Sequence, residues 1–408
     1  MKRNAIMELT KWKEQQCPVP FLLTGTKGTG KTYLAIEFAT AYYPQYLYVN
    51  FELNTAAAQF FCDKILSGHS ATEAIAEYFR LEEVFLSGLI VILDEISFCP
   101  PLFKSLTHCS FLPIMAISGL LPAQEMQEQF HMCRLFPLRF DEFLDAVGND
   151  WYVDMIQGHF LTSEPVPDIV HQELLALFEE YLVVGGMPAA VNEYISSKSV
   201  YNVGEIHCMI KNRMRSVIET TYDEKEAGKA VQVIDVIPEQ LKRENKKFRF
   251  NAIRRGVTYA LYQDSLFDLE QSGMVLRLNE QNHETHFKLY LPDVGMLSSA
   301  FAGNETEETR KALLENYVMQ TLSVNGTFHL SFWESEAQAK VAFVLVGEGH
   351  ATPVELRISK GGRGKSIASY RIAHHCKEED SYYRFGFENF HSTSVMRQIP
   401  YYAVFCIK

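Results

Sequence analysis

The spacing of apolar positions shifts along this chain, and each shift predicts a different architecture. Through residue 145, short apolar runs at Phe21 to Thr24, Leu47 to Phe51, Leu89 to Leu93 and Ile114 to Ser118 alternate with helical stretches such as Tyr33 to Tyr42. That rhythm predicts an α/β domain, a mostly parallel sheet with helices on both faces. Leu89-Ile90-Val91-Ile92-Leu93 is continuous rather than alternating, as expected of a strand buried on both sides. From Glu142 to Thr221 the strand signals thin out, and Leu174, Leu175, Phe178, Tyr181 and Leu182 recur at helical spacing. Residues 146–225 are therefore expected to form a helical lid. Residues 226–302 read as helices, then a strand at Val275 to Leu278, a polar turn at Asn279 to Thr285 and a strand at Phe287 to Leu291, the order of a winged-helix module. Residues 303–408 predict a further α/β domain: a helix near Leu313 to Leu322, strands near Val341 to Val346 and Pro353 to Ile358, and an aromatic strand from Tyr401 to Ile407.

Composition narrows the class. The 408 residues suit two to three domains, and 47% hydrophobic with 22% charged positions is ordinary globular usage, which excludes wholesale disorder. A net charge of −12 argues against a chain coated throughout for polyanion binding. The apolar runs are far shorter than the roughly 20 residues that span a bilayer, so no membrane partner is expected. Met1 to Lys13 mixes Glu8, Lys11 and Lys13 into its apolar residues, unlike a signal peptide, so a cytoplasmic location is expected. Eight cysteines at 17, 62, 99, 109, 133, 208, 376 and 406 show no Cys-x-x-Cys spacing, which fits reduced thiols and no structural metal.

The strongest motif is Gly25-Thr26-Lys27-Gly28-Thr29-Gly30-Lys31-Thr32, a G-x-x-x-x-G-K-[ST] match lying between a predicted strand and a predicted helix. Glycines let the backbone wrap a phosphate, helix-end N–H groups point at it, Lys31 adds charge toward the outer phosphates, and Thr32 can ligate magnesium. Asp94 and Glu95 close the apolar strand at the sheet's expected carboxyl edge, where ligands of open α/β sheets sit. Asp94 is the expected Mg2+ partner of Thr32, and Glu95 the expected base that polarises the attacking water, with Lys31 also catalytic. Together these residues predict an ATPase using ATP and Mg2+. Ser118, at the end of the next strand, is a candidate sensor of the terminal phosphate or a simple turn cap. Arg134 and Arg139 are candidate transition-state arginines, a role most surface arginines lack.

Several strings extend the picture: Lys11-Trp12-Lys13, Ile92-Leu93-Asp94-Glu95-Ile96, Arg134-Leu135-Phe136-Pro137-Leu138-Arg139-Phe140-Asp141-Glu142-Phe143-Leu144, Tyr181-Leu182-Val183-Val184-Gly185-Gly186-Met187-Pro188, and Phe287-Lys288-Leu289-Tyr290-Leu291-Pro292-Asp293-Val294-Gly295. With these the chain resembles the prokaryotic AAA-type ATPases similar to the archaeal ATPase group, which carry a C-terminal domain of unknown function. The resemblance implies a nucleotide-dependent switch with a sheet domain, a helical lid, a winged helix and a C-terminal domain of restriction-endonuclease-like fold. Gly186-Met187-Pro188 also looks like the lid motif of signal-transducing ATPases, which would bring Gly186 and Pro188 to the nucleotide base; an ordinary interhelical turn is the alternative. In the nuclease-like part the family pattern has two strand acids and a lysine, whereas here Ala342 replaces one acid and Arg357 the lysine. Glu315 and Glu355 remain. An always-protonated guanidinium cannot supply the lysine's tunable amine, so this domain is expected to be inactive and kept for packing or for a protein partner.

Between Lys242 and Arg255 seven basic residues, Lys242, Arg243, Lys246, Lys247, Arg249, Arg254 and Arg255, face Glu244 alone, with Phe248 and Phe250 interleaved. This run is the chain's candidate DNA contact, against the alternative of a solvated face or an interdomain contact. His374-His375-Cys376 reads as structural, because adjacent side chains rarely share one ion. The competing function is a nucleotide-gated DNA or protein adaptor in which hydrolysis is negligible.

Overall fold

A computed structural model describes residues 1–15, 19–81, 88–106, 112–119, 129–336, 339–347, 349–358, 365–377 and 380–407. Cys17 and Cys109 lie outside them. Apart from Met1, the chain forms two units: Lys2–Phe136 with Gln271–Gly273, and Pro137–Glu270 with Met274–Lys408.

The N-terminal unit is built on five parallel strands, β1 (Phe21–Thr24), β2 (Gln45–Asn50), β3 (Leu89–Asp94), β4 (Ile114–Ser118) and β5 (His131–Arg134), in the order β2-β3-β4-β1-β5. Its two faces separate the strand residues by parity, as a two-residue side-chain period requires. Phe21, Leu23, Ile90, Ile92, Met115 and Ile117 pack under α1 (Ile6–Lys13) and α2 (Lys31–Tyr42). Leu22, Leu89, Val91, Leu93, Ile114 and Ala116 pack on the other face with α3 (Thr55–Leu66), α4 (Ala71–Phe79) and α5 (Pro100–Ser105). Each fully buried Leu, Ile or Phe contributes roughly 1.5–3 kcal/mol, so the run 89–93 is an anchor of both cores. Asn54 caps α3 by accepting from the Ala57 N–H, and Ser70 with Glu73 forms a reciprocal capping box on α4.

The second unit begins with helices, from Phe140–Ala146 through Asp168–Val184, Val203–Thr221 and Glu224–Leu241 to Tyr259–Gln271. The strands follow: β6 (Leu276–Glu280), β7 (His283–Tyr290), β8 (His329–Glu334), β9 (Lys340–Gly347), β10 (His350–Leu356), β11 (Tyr382–Gly386), β12 (His391–Ser392) and β13 (Met396–Pro400). They make one eight-stranded mixed sheet in the order β12-β13-β11-β10-β9-β8-β6-β7. The hairpin expected as a wing is thus β6–β7, and it does not stand apart: β6 pairs in parallel with β8, Asn279 opposite Ser331 and Glu280 opposite Phe332. No sheet boundary falls at residue 302.

The last expected strand is different. Tyr401–Cys406 is a 3-10 helix, with strand β13 just before it. All six side chains are buried, and the backbone carbonyl of Tyr401 accepts from the Tyr317 hydroxyl. A continuous apolar run carries no period, so it cannot distinguish a buried strand from a buried tight helix. Among the described residues no helix is long and apolar enough to cross a membrane. Among the described cysteines, Cys62, Cys99, Cys133, Cys208, Cys376 and Cys406 are free thiols.

Candidate functional site: a phosphate loop facing an acid pair

The site forms where β1, β3 and β4 end. β1 stops at Thr24, and the loop turns through Gly25, Gly28 and Gly30, whose φ angles of 133°, 91° and 91° lie in the region that favours glycine. Gly25 is required twice over, because a Cβ there would lie 2.2 Å from the Leu135 carbonyl oxygen. Helix α2 then starts at Lys31.

Lys31 is buried, 5% exposed, and its Nζ donates to the carbonyls of Gly25 at 2.8 Å and Thr26 at 3.1 Å. Burial pulls its ammonium down to about 8, opposed by the charges of Glu95 and Asp94 and assisted by Lys27. Thr29 Oγ1 donates to the Thr26 carbonyl at 3.0 Å, while the buried Thr26 Oγ1 has no hydrogen-bond partner among the described residues. A cation folded onto its own loop and an orphaned buried hydroxyl describe a cradle with polar capacity to spare, which fits a polyphosphate.

β3 delivers Asp94, 1% exposed. Its Oδ2 accepts from Thr32 Oγ1 at 2.9 Å, Tyr48 OH at 2.8 Å and Asn50 Nδ2 at 3.0 Å, and its Oδ1 from the Glu95 N–H at 3.0 Å. Four neutral donors stabilise the carboxylate without cancelling its charge. The Thr32 hydroxyl and the Asp94 carboxylate make an all-oxygen pair of the kind magnesium takes. Glu95 sits at φ 52°, a left-handed backbone unusual for a glutamate, at the start of the 3-10 turn Ile96–Phe98. Such a conformation costs on the order of 1–2 kcal/mol and fixes the side chain's direction. Lys27 Nζ lies 3.4 Å from Glu95 Oε1 and also bonds Glu52, so Lys27 links two acids beside the loop.

Ser118 is fully buried and lies opposite Thr24 in the β1–β4 register, which puts it at the same sheet edge. Arg134 also stands opposite Thr24, through β5, and its guanidinium donates to the Gln271 carbonyl. Arg139 belongs to the second unit, where it is buried and paired with Asp141 at 2.7 Å. Gly186 and Pro188 also lie there. Gly186 donates to Asp293 Oδ2 at 2.6 Å, and a Cβ on it would lie 2.0 Å from the Leu138 carbonyl oxygen; Pro188 opens the helix Pro188–Ser197. Of the seven basic residues in the run, Lys242 pairs with Glu239, Lys246 with Glu315 and Lys247 with Glu280 and Glu334, whereas Arg243, Arg249, Arg254 and Arg255 are exposed.

Three residues of the N-terminal site escape sequence reasoning. Tyr48 and Asn50 come from β2, and only their polar character in a strand hints at a role. Arg3 is buried, its Nη1 donating to the Thr29 carbonyl at 2.9 Å and its other nitrogen to that of Phe136. It braces the loop from behind, and nothing in its sequence neighbourhood distinguishes it from a surface charge.

Loop, lysine, hydroxyl and acid pair at the carboxyl edge of a parallel sheet define a P-loop nucleotide-binding domain. Residues 18–144 match the family model described as an AAA domain, and residues 175–308 match a model described as a domain of unknown function, DUF8612. The AAA-domain match thus covers nearly all of the N-terminal unit. Solved structures similar to the chain include a Walker-type ATPase of Pyrococcus abyssi, at 11% identity over 72% of this chain and 93% of that one, TM-score 0.41. Others are the ORC1 protein of Aeropyrum pernix in complex with DNA, at 16% over 78% and 93%, TM-score 0.31, and Cdc6p from Pyrobaculum aerophilum, at 14% over 76% and 92%, TM-score 0.30. No curated protein matches the chain.

Proposed function

We propose that the protein binds ATP with Mg2+ at Gly25 to Thr32 and Asp94, hydrolyses it with Glu95 as general base, and works as a nucleotide-dependent switch. The observation that carries this is the meeting of Thr32 and Asp94 at 2.9 Å, with Glu95 next in sequence fixed at φ 52°. Magnesium, when bound, supplies charge neutralisation for the phosphates. The chain's own groups do the rest: Lys31 leaves its loop carbonyls for the phosphate oxygens, Asp94 and Thr32 hold the ion, Ser118 reads the terminal phosphate, and Glu95 orients and deprotonates water. Lys27 must release Glu95 for that last task. This pairing favours the second reading as well, a nucleotide-gated adaptor whose base stays capped and whose turnover is negligible until a partner frees it.

Within either reading, duplex DNA is the proposed partner of the exposed Arg243, Arg249, Arg254 and Arg255. Phosphate release from ATP and Mg2+ by wild type, Lys31→Ala and Glu95→Gln, with and without duplex DNA, tests all of it. Turnover in wild type alone supports the enzyme. Binding without turnover under both conditions supports the adaptor, and no ATP binding at all overturns both.

A further inference from the structure

The second unit contains a cavity of about 300 Å3 between the segment Glu244–Lys247, the helix Glu307–Asn325 and strands β8 to β10. Its volume lies at the lower end of the roughly 300–1,000 Å3 common for small-molecule sites. Among the described residues its wall carries six lysines against four glutamates, and adding the paired Glu280, Glu307, Arg357 and Arg384 leaves the same excess of two positive charges in a protein whose net charge is −12. The excess is local and structured. Lys246 Nζ meets Glu315 Oε1 at 2.7 Å while Lys288 Nζ lies 3.6 Å from Glu315 Oε2, so two ammoniums share one carboxylate. Both lysines are 9% exposed, and Tyr290 OH donates to the same Glu315 Oε2 at 3.2 Å. On the strand side, Glu355 is likewise shared by two guanidiniums, Arg357 at 3.2 Å and Arg384 at 2.7 Å. Lys247 and Lys340 share Glu334, with Glu280 as a second partner for Lys247. The apolar wall is Phe332, whose ring lies 4.7 Å under Lys288 Nζ, together with Trp333.

Two buried ammoniums on one carboxylate make a site short of anionic charge, and isolated charges are expensive to hold away from water. Each of Glu315, Glu334 and Glu355 is paired with two lysines or arginines, so these carboxylates act as counter-ions. We propose that this cavity binds the terminal phosphate of a small phosphorylated ligand, with Lys246 and Lys288 as its charged donors and Phe332 and Trp333 against the body of the ligand. The site is separate from the phosphate loop and does not rest on ATP hydrolysis. A phosphate monoester is favoured over a singly charged carboxylate because a dianion balances the excess of two. The group can come from a free mononucleotide or from the 5′ end of a strand, which share this chemistry.

The test is titration calorimetry and thermal shift on the full chain in a Lys31→Ala background, which removes the phosphate loop as a competing site. Probes are inorganic phosphate, a nucleoside monophosphate and a 5′-phosphorylated dinucleotide, each against chloride at equal ionic strength. Phosphate and at least one phosphomonoester should bind and raise the Tm, and which monoester binds tells nucleotide from strand end. Lys288→Met should weaken binding at least 10-fold. Glu315→Gln should strengthen it and enlarge the Tm rise, since it removes the competing carboxylate; this opposite sign keeps the proposal testable if Lys288→Met fails to fold. No shift beyond chloride, a response equal in all variants, or binding of inorganic phosphate alone overturns it.

Discussion

Asp94 and Glu315 are both carboxylates held largely inside the fold, one in each unit, and their surroundings are opposites. Asp94 is held by hydroxyls, an amide and a backbone N–H, all neutral, so its negative charge stays available to a cation. Glu315 is met by two ammoniums, so its charge is already spent and the balance of its neighbourhood is positive. Burial pushes Glu315 up, yet Lys246 and Lys288 outweigh that and hold it at about 2. In the readings proposed above, the buried acid with neutral partners suits a cation, and the acid shared by lysines leaves room for an anion.

The contrast breaks most visibly in catalysis. Glu95→Gln should lower turnover on the order of 100- to 10,000-fold with ATP affinity nearly unchanged, since it removes the proposed base and keeps the shape. Equal turnover in phosphate-release assays would remove Glu95 from the chemistry. Next comes stability: Glu315→Ala leaves two buried ammoniums uncompensated and should cost about 3–5 kcal/mol in urea unfolding. Asp94→Ala strands only neutral donors and should cost about 1–3 kcal/mol. A larger loss for Asp94→Ala would reverse the comparison.

Two pH dependences sharpen it. Glu315 ionises more readily folded than unfolded, so its contribution is present above its ordinary value of 4.5 and is lost as pH falls toward 2. The acid limb of a stability profile should therefore lie lower in pH for wild type than for Glu315→Gln. Lys31 is pulled down to about 8, so above that pH the free protein loses the charge proposed to meet phosphate. ATP affinity should fall by up to about 10-fold per pH unit there, and a flat profile to pH 10 would take Lys31 off the phosphate. The smallest effect is expected on DNA: Arg254→Ala should weaken retardation uniformly across sequences and reduce the salt slope by about one.

The N-terminal site was mostly legible because its chemistry is local. Eight consecutive residues make the loop, and an apolar strand followed by two acids announces the second half. Ile114–Ser118 emerged with its predicted bounds, since a strand buried on both faces is apolar throughout. β5 escaped: His131 to Arg134 is half-buried and carries two polar residues in four, so no run announces it. Arg3, Tyr48 and Asn50 escaped because they reach the site through tertiary contacts. The basic run shows the converse error, where sequence counts charges and folding spends some of them, as Lys246 and Lys247 show with Glu315, Glu280 and Glu334. Gly185 and Gly186 pack closely against Asp293 and Leu138, where a Cβ on either would clash.

The parallel pairing of β6 with β8 has a practical consequence for dissecting the molecule. Asn279 and Ser331, register partners in the sheet, stand on opposite sides of residue 302. A chain cut there leaves β6 and β8 each with an open row of amides and carbonyls, and such edges recruit strands from other molecules. Separately expressed halves of this unit should therefore precipitate alone and regain solubility when mixed, reassembling across the cut like the fragments of a split reporter.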